Sequence, residues 1–539
     1  MNRLSARHLA MAGTAILAGV ALAACGTGNA TSAHNGGDYP TRLTLSGGYS
    51  DENYHPAFGH SESGVSMVYD GLLRPEPTNG PGSIPNLVPA LADTAPKPSE
   101  NGKTWTVTLR DNVTFSDGSE FDAADVKATY DVARDASTGS AISHMYSVIE
   151  DVEVADKQTV AFHLNLPYGN FPARLTLGIA PSELVGEGTV DSGPLAQRPV
   201  GTGPYVLKEH TGNEARFTAR EDYWAGTPAI KDVVVAVIAD DAARAQRVAT
   251  GELSGAIIAP SMAKNYENKP GLRVVSTPSA DWRSISLPDT PFLRAPEVRR
   301  ALNLAVDRDA MVAGPMAGHG TPISHPISEF YGDAHNPDAV FAHDVAQAEK
   351  LLDDAGWHKG PDGVRAKDGV KAEIPLLYVG DDTMRRDMAV EFAAQMEKTG
   401  VKFTPQASNW DEITPQMDKV AVVLAGGTSP YDVDLLVYDL LHSRQKDTSE
   451  YDNPGDHGSP ELDAALDKAR AAQDPQERAQ AYRDVQELYL DNPSSVFLAY
   501  ADHVYLEQEN TWDQGSAVLE PHLHSATWGP WWNLGQWKQ

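Results

Sequence analysis

Histidines and carboxylates are the side chains this chain offers for chemistry, 17 of the first and 74 of the second. His522-Leu523-His524 puts two imidazoles on one side of an extended segment, a spacing that can chelate a divalent metal. His319 with His325, and His442 with His457, are looser pairs. No cysteine or carboxylate accompanies them at ligand spacing, so exposed or hydrogen-bonded histidines are the simpler reading, and no resident metal or cofactor is expected. The sequence has no HExxH, no paired CxxC, no G-x-S-x-G elbow and no P-loop. Gly201-Thr202-Gly203 is half of a dinucleotide fingerprint, but it lacks the third glycine and leads into a strand. In a chain this acidic, carboxylates close in sequence do not single out an acid–base pair. No catalytic residues are assigned, and the chain is expected not to be an enzyme.

One residue with a specific chemistry stands near the start. Cys25 is the only cysteine, so it has no internal disulfide partner. It follows Arg3 and Arg7, an uncharged apolar stretch over 9–20, and Leu22-Ala23-Ala24. The apolar stretch is too short to span a bilayer comfortably and matches a secretory signal, 1–24. The whole pattern resembles a bacterial lipobox, in which the cysteine becomes the lipidated first residue and anchors the protein without a transmembrane helix. Residues 25–38 are rich in Gly, Ser, Thr, Asn and Ala and read as lipidated cysteine plus flexible tether. The formal charge is −31, and removing Arg3 and Arg7 with the signal takes it to about −33. Nucleic acid and anionic lipid headgroups are therefore poor partners for the body.

A chain of 539 residues is too long for one core. Strands are expected at 42–45 and 104–109, where apolar residues alternate, and at 152–154 and 159–164. Asp122 caps a helix starting at Ala123, with Phe121 and Val126 as a hydrophobic staple. Residues 65–73 are apolar enough for a helix or strand. A strand from Tyr205 and its hairpin turn at Gly212-Asn213 precede a buried strand at 233–238, a helix over 240–250 and a strand at 256–258, together a βαβ unit. From Pro296 the chain is helix-rich. Helices start at Asp344 and Asp474, another covers 387–398, and strands are read at 374–379, 420–424, 433–438, 496–500 and 503–506. Trp528, Trp531, Trp532 and Trp537 are read as pinning the C-terminus to the core.

Five blocks then resemble one family. Val68-Tyr69-Asp70-Gly71-Leu72-Leu73 is the first, and 102–110 with 113–118 and 121–126 is the second. Gly201-Thr202-Gly203-Pro204-Tyr205 with Tyr223-Trp224 and Pro228, then 299–308, then Ala348-Glu349-Lys350-Leu351-Leu352 with Ala355-Gly356-Trp357 complete the set. In this order they are similar to the extracytoplasmic solute-binding proteins of ABC importers, the dipeptide, oligopeptide and nickel family. The resemblance implies an α/β, two-lobed periplasmic-binding-protein clamp. Lobe I is expected from 39–75, 200–290 and 505–539, an extra mixed α/β subdomain from 76–199, and lobe II from 291–504. It implies a small solute enclosed by hinge closure, delivery to an ABC permease, a monomer, and a place on the outer face of the cell membrane. The candidate ligand-binding residues are Tyr49, Glu62, Tyr431, Asp432 and His442. Asp432 falls where peptide binders carry an acid for the peptide amine. Pro430-Tyr431-Asp432 also looks like the nickel and metallophore branch, from which the chain departs at three places. Gly427 stands where a tryptophan would, 177–180 lacks the arginine for a chelator's carboxylates, and Glu62 aligns where a methionine would reach the metal. A short peptide is the expected ligand, with a metal chelate as the alternative and an envelope enzyme or sensor on the same scaffold as the reading of another class.

Overall fold

The computed structural model describes residues 40–47, 53–59, 61–77, 83–427, 429–446, 448–510, 512–522 and 526–539. Cys25, the tether, Tyr49 and His524 lie outside them. The described chain is built on two large sheets and a smaller one. In the first, seven strands run in the order Leu272–Thr277, His503–Gln508, Gly255–Ile258, Arg42–Ser46, Asp232–Ala236, Glu214–Ala219, Tyr205–Thr211. Arg42–Ser46 is parallel to both of its neighbours, with Leu43 opposite Val233 and Leu45 opposite Gly255. Helix Asp241–Ala249 joins those two neighbours, and Asp240 caps it by accepting from the Ala243 N–H. The chain therefore makes its crossover around the N-terminal strand, which is why Leu45 is fully buried.

The second sheet has the order Gly320–Pro322, Ser495–Ala501, Trp282–Ser286, Ala421–Gly426, Glu373–Val379, Lys402–Ser408. Glu373–Val379 is parallel to both of its neighbours, and helix Thr383–Thr399 covers the crossover. Gly400, at φ 84°, closes that helix in the left-handed region where a side chain is strained. Every residue of Ser495–Ala501 is buried. A four-stranded antiparallel sheet, Lys97–Ser99, Thr104–Thr108, Thr159–Leu164 and Ile149–Asp156, is covered by helix Ala123–Arg134. Asp122 and Asp125 form the reciprocal capping box of that helix, and the Tyr130 ring packs 4.9 Å from Phe162.

The chain passes between the large sheets twice, at 278–281 and at Asp502. The two passages lie side by side, since the Ala501 N–H donates to the Asp281 carbonyl at 2.9 Å. Asp281 is buried there among Arg283 (2.6 Å), His503 (3.2 Å) and His522 (2.7 Å). His503 also meets Glu520 at 2.7 Å. By sheet membership the division falls at these passages, whereas the sequence placed it at 290/291 and 504/505. Trp282–Ser286 belongs to the second sheet.

Two local expectations are corrected. Residues 433–438, read as a strand, lie in helix Val433–Leu441. Asp432 caps it, and its Val and Leu side chains are buried on several faces, which erases the helical periodicity. Residues 65–72 are irregular, and only Leu73–Glu76 is a strand. That backbone is held by Gly203 and Tyr205, whose N–H groups donate to Val68 (2.7 Å) and Met67 (2.8 Å). A Cβ on Gly203 would lie 2.4 Å from the Val68 carbonyl carbon, so the Gly-Thr-Gly turn serves close backbone packing.

Candidate functional site

A cavity of about 790 Å³ lies where the three parts meet. Glu62, Ser66 and Trp528 line it from the side of the first sheet. Ile142, His144 and Arg174 come from the smaller subdomain, and Trp282, Asp439 and Asp452 from the side of the second sheet.

The wall beneath it is stitched by a buried polar network. Asp434, 2% exposed, accepts from Arg174 at 3.2 Å and from Arg470 at 2.9 and 3.1 Å. Tyr168 donates to Asp432, and the Tyr168 ring lies under the Arg174 guanidinium at 4.9 Å. Asn170 donates to the Tyr431 carbonyl at 3.3 Å, and the Tyr431 hydroxyl donates to the Ser63 carbonyl at 2.6 Å. Apart from Arg470 to Asp434, these bonds join residues more than 250 positions apart and tie all three parts together around the cavity floor.

The candidates from sequence separate on this geometry. Glu62 lines the cavity. Tyr431 and Asp432 lie in the network, outside the cavity lining. Asp432 caps the helix through the Asp434 N–H at 3.2 Å and accepts from Tyr168. Burial and the neighbouring Asp434 carboxylate raise its pKa. His442 also lies outside the lining. It stacks on Tyr438 at 4.9 Å and sits 3.6 Å from Asp463. Tyr49 lies outside the described residues. Arg174, Arg470, Asp434, Asp439 and Asp452 were missed. Arg174 stands three residues before the 177–180 segment judged to lack an arginine, so a wider window would have found it.

Gly427 has φ 106°, and a Cβ there would lie 1.9 Å from the Ala280 carbonyl oxygen. A tryptophan cannot occupy this position on this backbone. The indole of Trp282 instead packs over neighbouring Gly426, where a Cβ would come within 2.3 Å of the ring, and provides the aromatic wall. Trp528, read as a pin, is buried and also lines the cavity, while Trp531 packs on Tyr505 in the core of the first sheet.

Electrostatically the cavity is divided. Glu62 is 4% exposed, and burial pushes its carboxyl up to about 8. Asp452, at the rim, is pushed up to about 7 by burial and then by Asp439. Burial lowers His144 toward the neutral imidazole. No group of three or more metal-ligating side chains occurs among the described residues. His319 bonds to Ser276 at 2.9 Å and His325 to the Ala339 carbonyl at 2.9 Å, in separate surroundings.

Residues 86–448 match the family described as bacterial extracellular solute-binding proteins, family 5. The chain belongs to this family. Protein XP55 of Streptomyces lividans is 36% identical over 478 residues, covering 88% of this chain and 85% of its own length. The glutathione-binding protein GsiB of Salmonella paratyphi A is 30% identical over 429 residues, covering 72% of this chain and 76% of its own. The crystal structure of NikZ from Campylobacter jejuni, in complex with Ni(L-His), matches at a TM-score of 0.83 and 26% identity over 93% of this chain and 99% of NikZ. As a family 5 protein the chain is an extracytoplasmic solute-binding component of ABC importers, with the α/β two-lobed clamp fold expected from sequence. GsiB is a glutathione-binding protein, and the NikZ structure holds Ni(L-His).

Proposed function

We propose that this protein captures a short peptide in the 790 Å³ cavity and delivers it unchanged to the permease of an ABC importer. The observation that carries the reading is the cavity itself. It is within the size range of ligand pockets, combines aromatic and aliphatic walls with a few charged groups, and draws its lining from all three parts of the fold. GsiB, named for a tripeptide ligand, supports the peptide class. Closure is a hinge motion about 278–281 and Asp502, between a lobe on the seven-stranded sheet with its C-terminal tail and a lobe on the six-stranded sheet. The protein acts as a monomer, held at the outer membrane surface by lipid on Cys25.

A metal chelate is the second reading, favoured by the similarity to NikZ in its nickel–histidine complex. Thermal unfolding with di- to pentapeptide pools, and with nickel in the presence and absence of histidine, separates the two. A ligand present at a hundred times its dissociation constant stabilises by about 2.7 kcal/mol. Stabilisation by peptides and none by nickel–histidine is expected, and the reverse result would sink the peptide reading. Recovery of the peptide intact after incubation is expected, and cleavage would make the protein an enzyme. Cys25→Ser is expected to move the protein from the membrane fraction to the soluble one.

A further inference from the structure

The ionisable groups lining the cavity divide into those already paired and those left over. Arg174 and Arg470 both face Asp434. Once these are set aside, the described lining residues offer the carboxyls of Glu62, Asp439 and Asp452 against the cation of Lys446, while Arg444, outside the lining, donates to the Asp452 carbonyl at 2.8 Å and opposes the rise of its pKa. Glu62 is the deepest of the three, and its Oε2 is buried with no hydrogen-bond partner among the described residues. That atom sits beside Gly59, where a Cβ would be 3.5 Å away, and Gly59 also lines the cavity. Burying a carboxyl without a partner costs free energy, and a cation placed against it removes that cost.

We infer that Glu62, with Asp439 and Asp452 contributed from the side of the second sheet, forms a subsite for the cationic head of the solute, an ammonium or guanidinium group. Entry of the cation displaces the proton of Glu62. This rests on the cavity being the capture site. The step balances as a neutral carboxyl and a cation giving a carboxylate–cation pair and one proton released to water. The groups facing Glu62 from other elements are Tyr146 and Tyr431, and Arg174 lines the same cavity. The two phenols stay protonated throughout, since burial holds both well above their usual range, and Arg174 is paired with Asp434. His144, facing Asp439, is held toward neutrality by burial. Glu62, pushed up to about 8, and Asp452, pushed up to about 7, are thus the two carboxyls of the subsite that change charge between pH 6 and 8.

The test uses the purified protein and matched probes: di- to pentapeptide pools with free and with acetylated N-termini, argininamide, the N-acetylated forms of argininamide and citrullinamide as the charged and neutral guanidinium pair, and spermidine. Thermal shift selects the binders and calorimetry in buffers of different ionisation enthalpy counts protons. Free-amine or guanidinium probes are expected to bind and their neutral counterparts to bind at least tenfold more weakly. Affinity should rise at least tenfold per pH unit from 6 to 7 and about tenfold per unit from 7 to 8, with between one and two protons released at pH 6.5, since Asp452 titrates in the same window. Glu62→Gln should weaken the pH dependence and lower the release by close to one proton, while the proton count on wild type stands even if that variant does not fold. Equal binding of acetylated and free peptides, no proton release, or no binding by any cationic probe would overturn the subsite. Binding of argininamide or spermidine with no response to peptides would support the subsite and instead remove the peptide reading.

Discussion

Asp434 and Glu62 are both buried acids at the same cavity, and they have opposite surroundings. Asp434 has two guanidinium partners, at 3.2 and 2.9 Å. Glu62 has a buried oxygen with none among the described residues. A fully paired buried acid holds its neighbours in place and has little left for a ligand. An unpaired one is a cost that the empty protein carries and a bound cation relieves. On this contrast, Asp434 belongs to the frame and Glu62 to the part of the cavity that reads the solute.

Breaking the paired side should have the largest effect. Asp434→Ala leaves Arg174 and Arg470 facing each other unpaired, and a loss of about 3–5 kcal/mol is expected in chemical denaturation. A loss below 1 kcal/mol would show that the pair is not structural. His503 extends the paired class to the passages between sheets. Asp281 and Glu520 hold its imidazolium against the opposing effect of burial, raising it to about 9. A raised histidine contributes its stability fully below about pH 6.5 and loses it as pH climbs through 9. The stability advantage of wild type over His503→Asn should therefore shrink by about 3 kcal/mol between pH 6 and 10, at about 1.4 kcal/mol per pKa unit. An advantage independent of pH would refute the charged pairing.

The unpaired side should behave in the opposite way. Glu62 keeps its proton on folding while the unfolded chain gives it up above pH 4.5, so wild-type stability should fall from pH 4.5 to about 8 and level off. Glu62→Gln should match wild type at pH 4, exceed it at pH 8, and lack that part of the slope. A variant less stable at pH 8 would mean that Glu62 has a partner in the folded protein. The smallest effect is expected at the surface. Asp122→Ala removes the acceptor for the Ala124 N–H at 2.8 Å and should cost about 1 kcal/mol, with no change in ligand affinity.

Much of the frame is legible in the sequence because its cues are local. Asp122, Asp240, Pro296 and Asp474 mark helix starts through the chemistry of the first turn, and alternation marks 104–108 and 159–164. Helix Val433–Leu441 is not legible, since burial on several faces removes the polar stripe that would reveal the period. The site is harder for the same kind of reason. Asp432 and Asp434 are two residues apart with equivalent local sequence, and only Tyr168, Arg174 and Arg470, brought in from other parts of the chain, assign one to the helix cap and the other to the ion cluster. Glu62 was found through an alignment position, but its lack of a partner is a property of the fold alone.

The strand order of the first sheet carries a consequence for biogenesis. Its N-terminal strand, Arg42–Ser46, is completed on both sides only after residue 258, and His503–Gln508 must still enter between Gly255–Ile258 and Leu272–Thr277. Glu520, which pairs with His503, and His522, which bonds to Asp281, arrive later still. A chain emerging N-terminus first cannot finish this sheet until nearly its whole length is available. Such long-range closure is slow, so the first sheet is expected to form late, after the locally closed smaller subdomain.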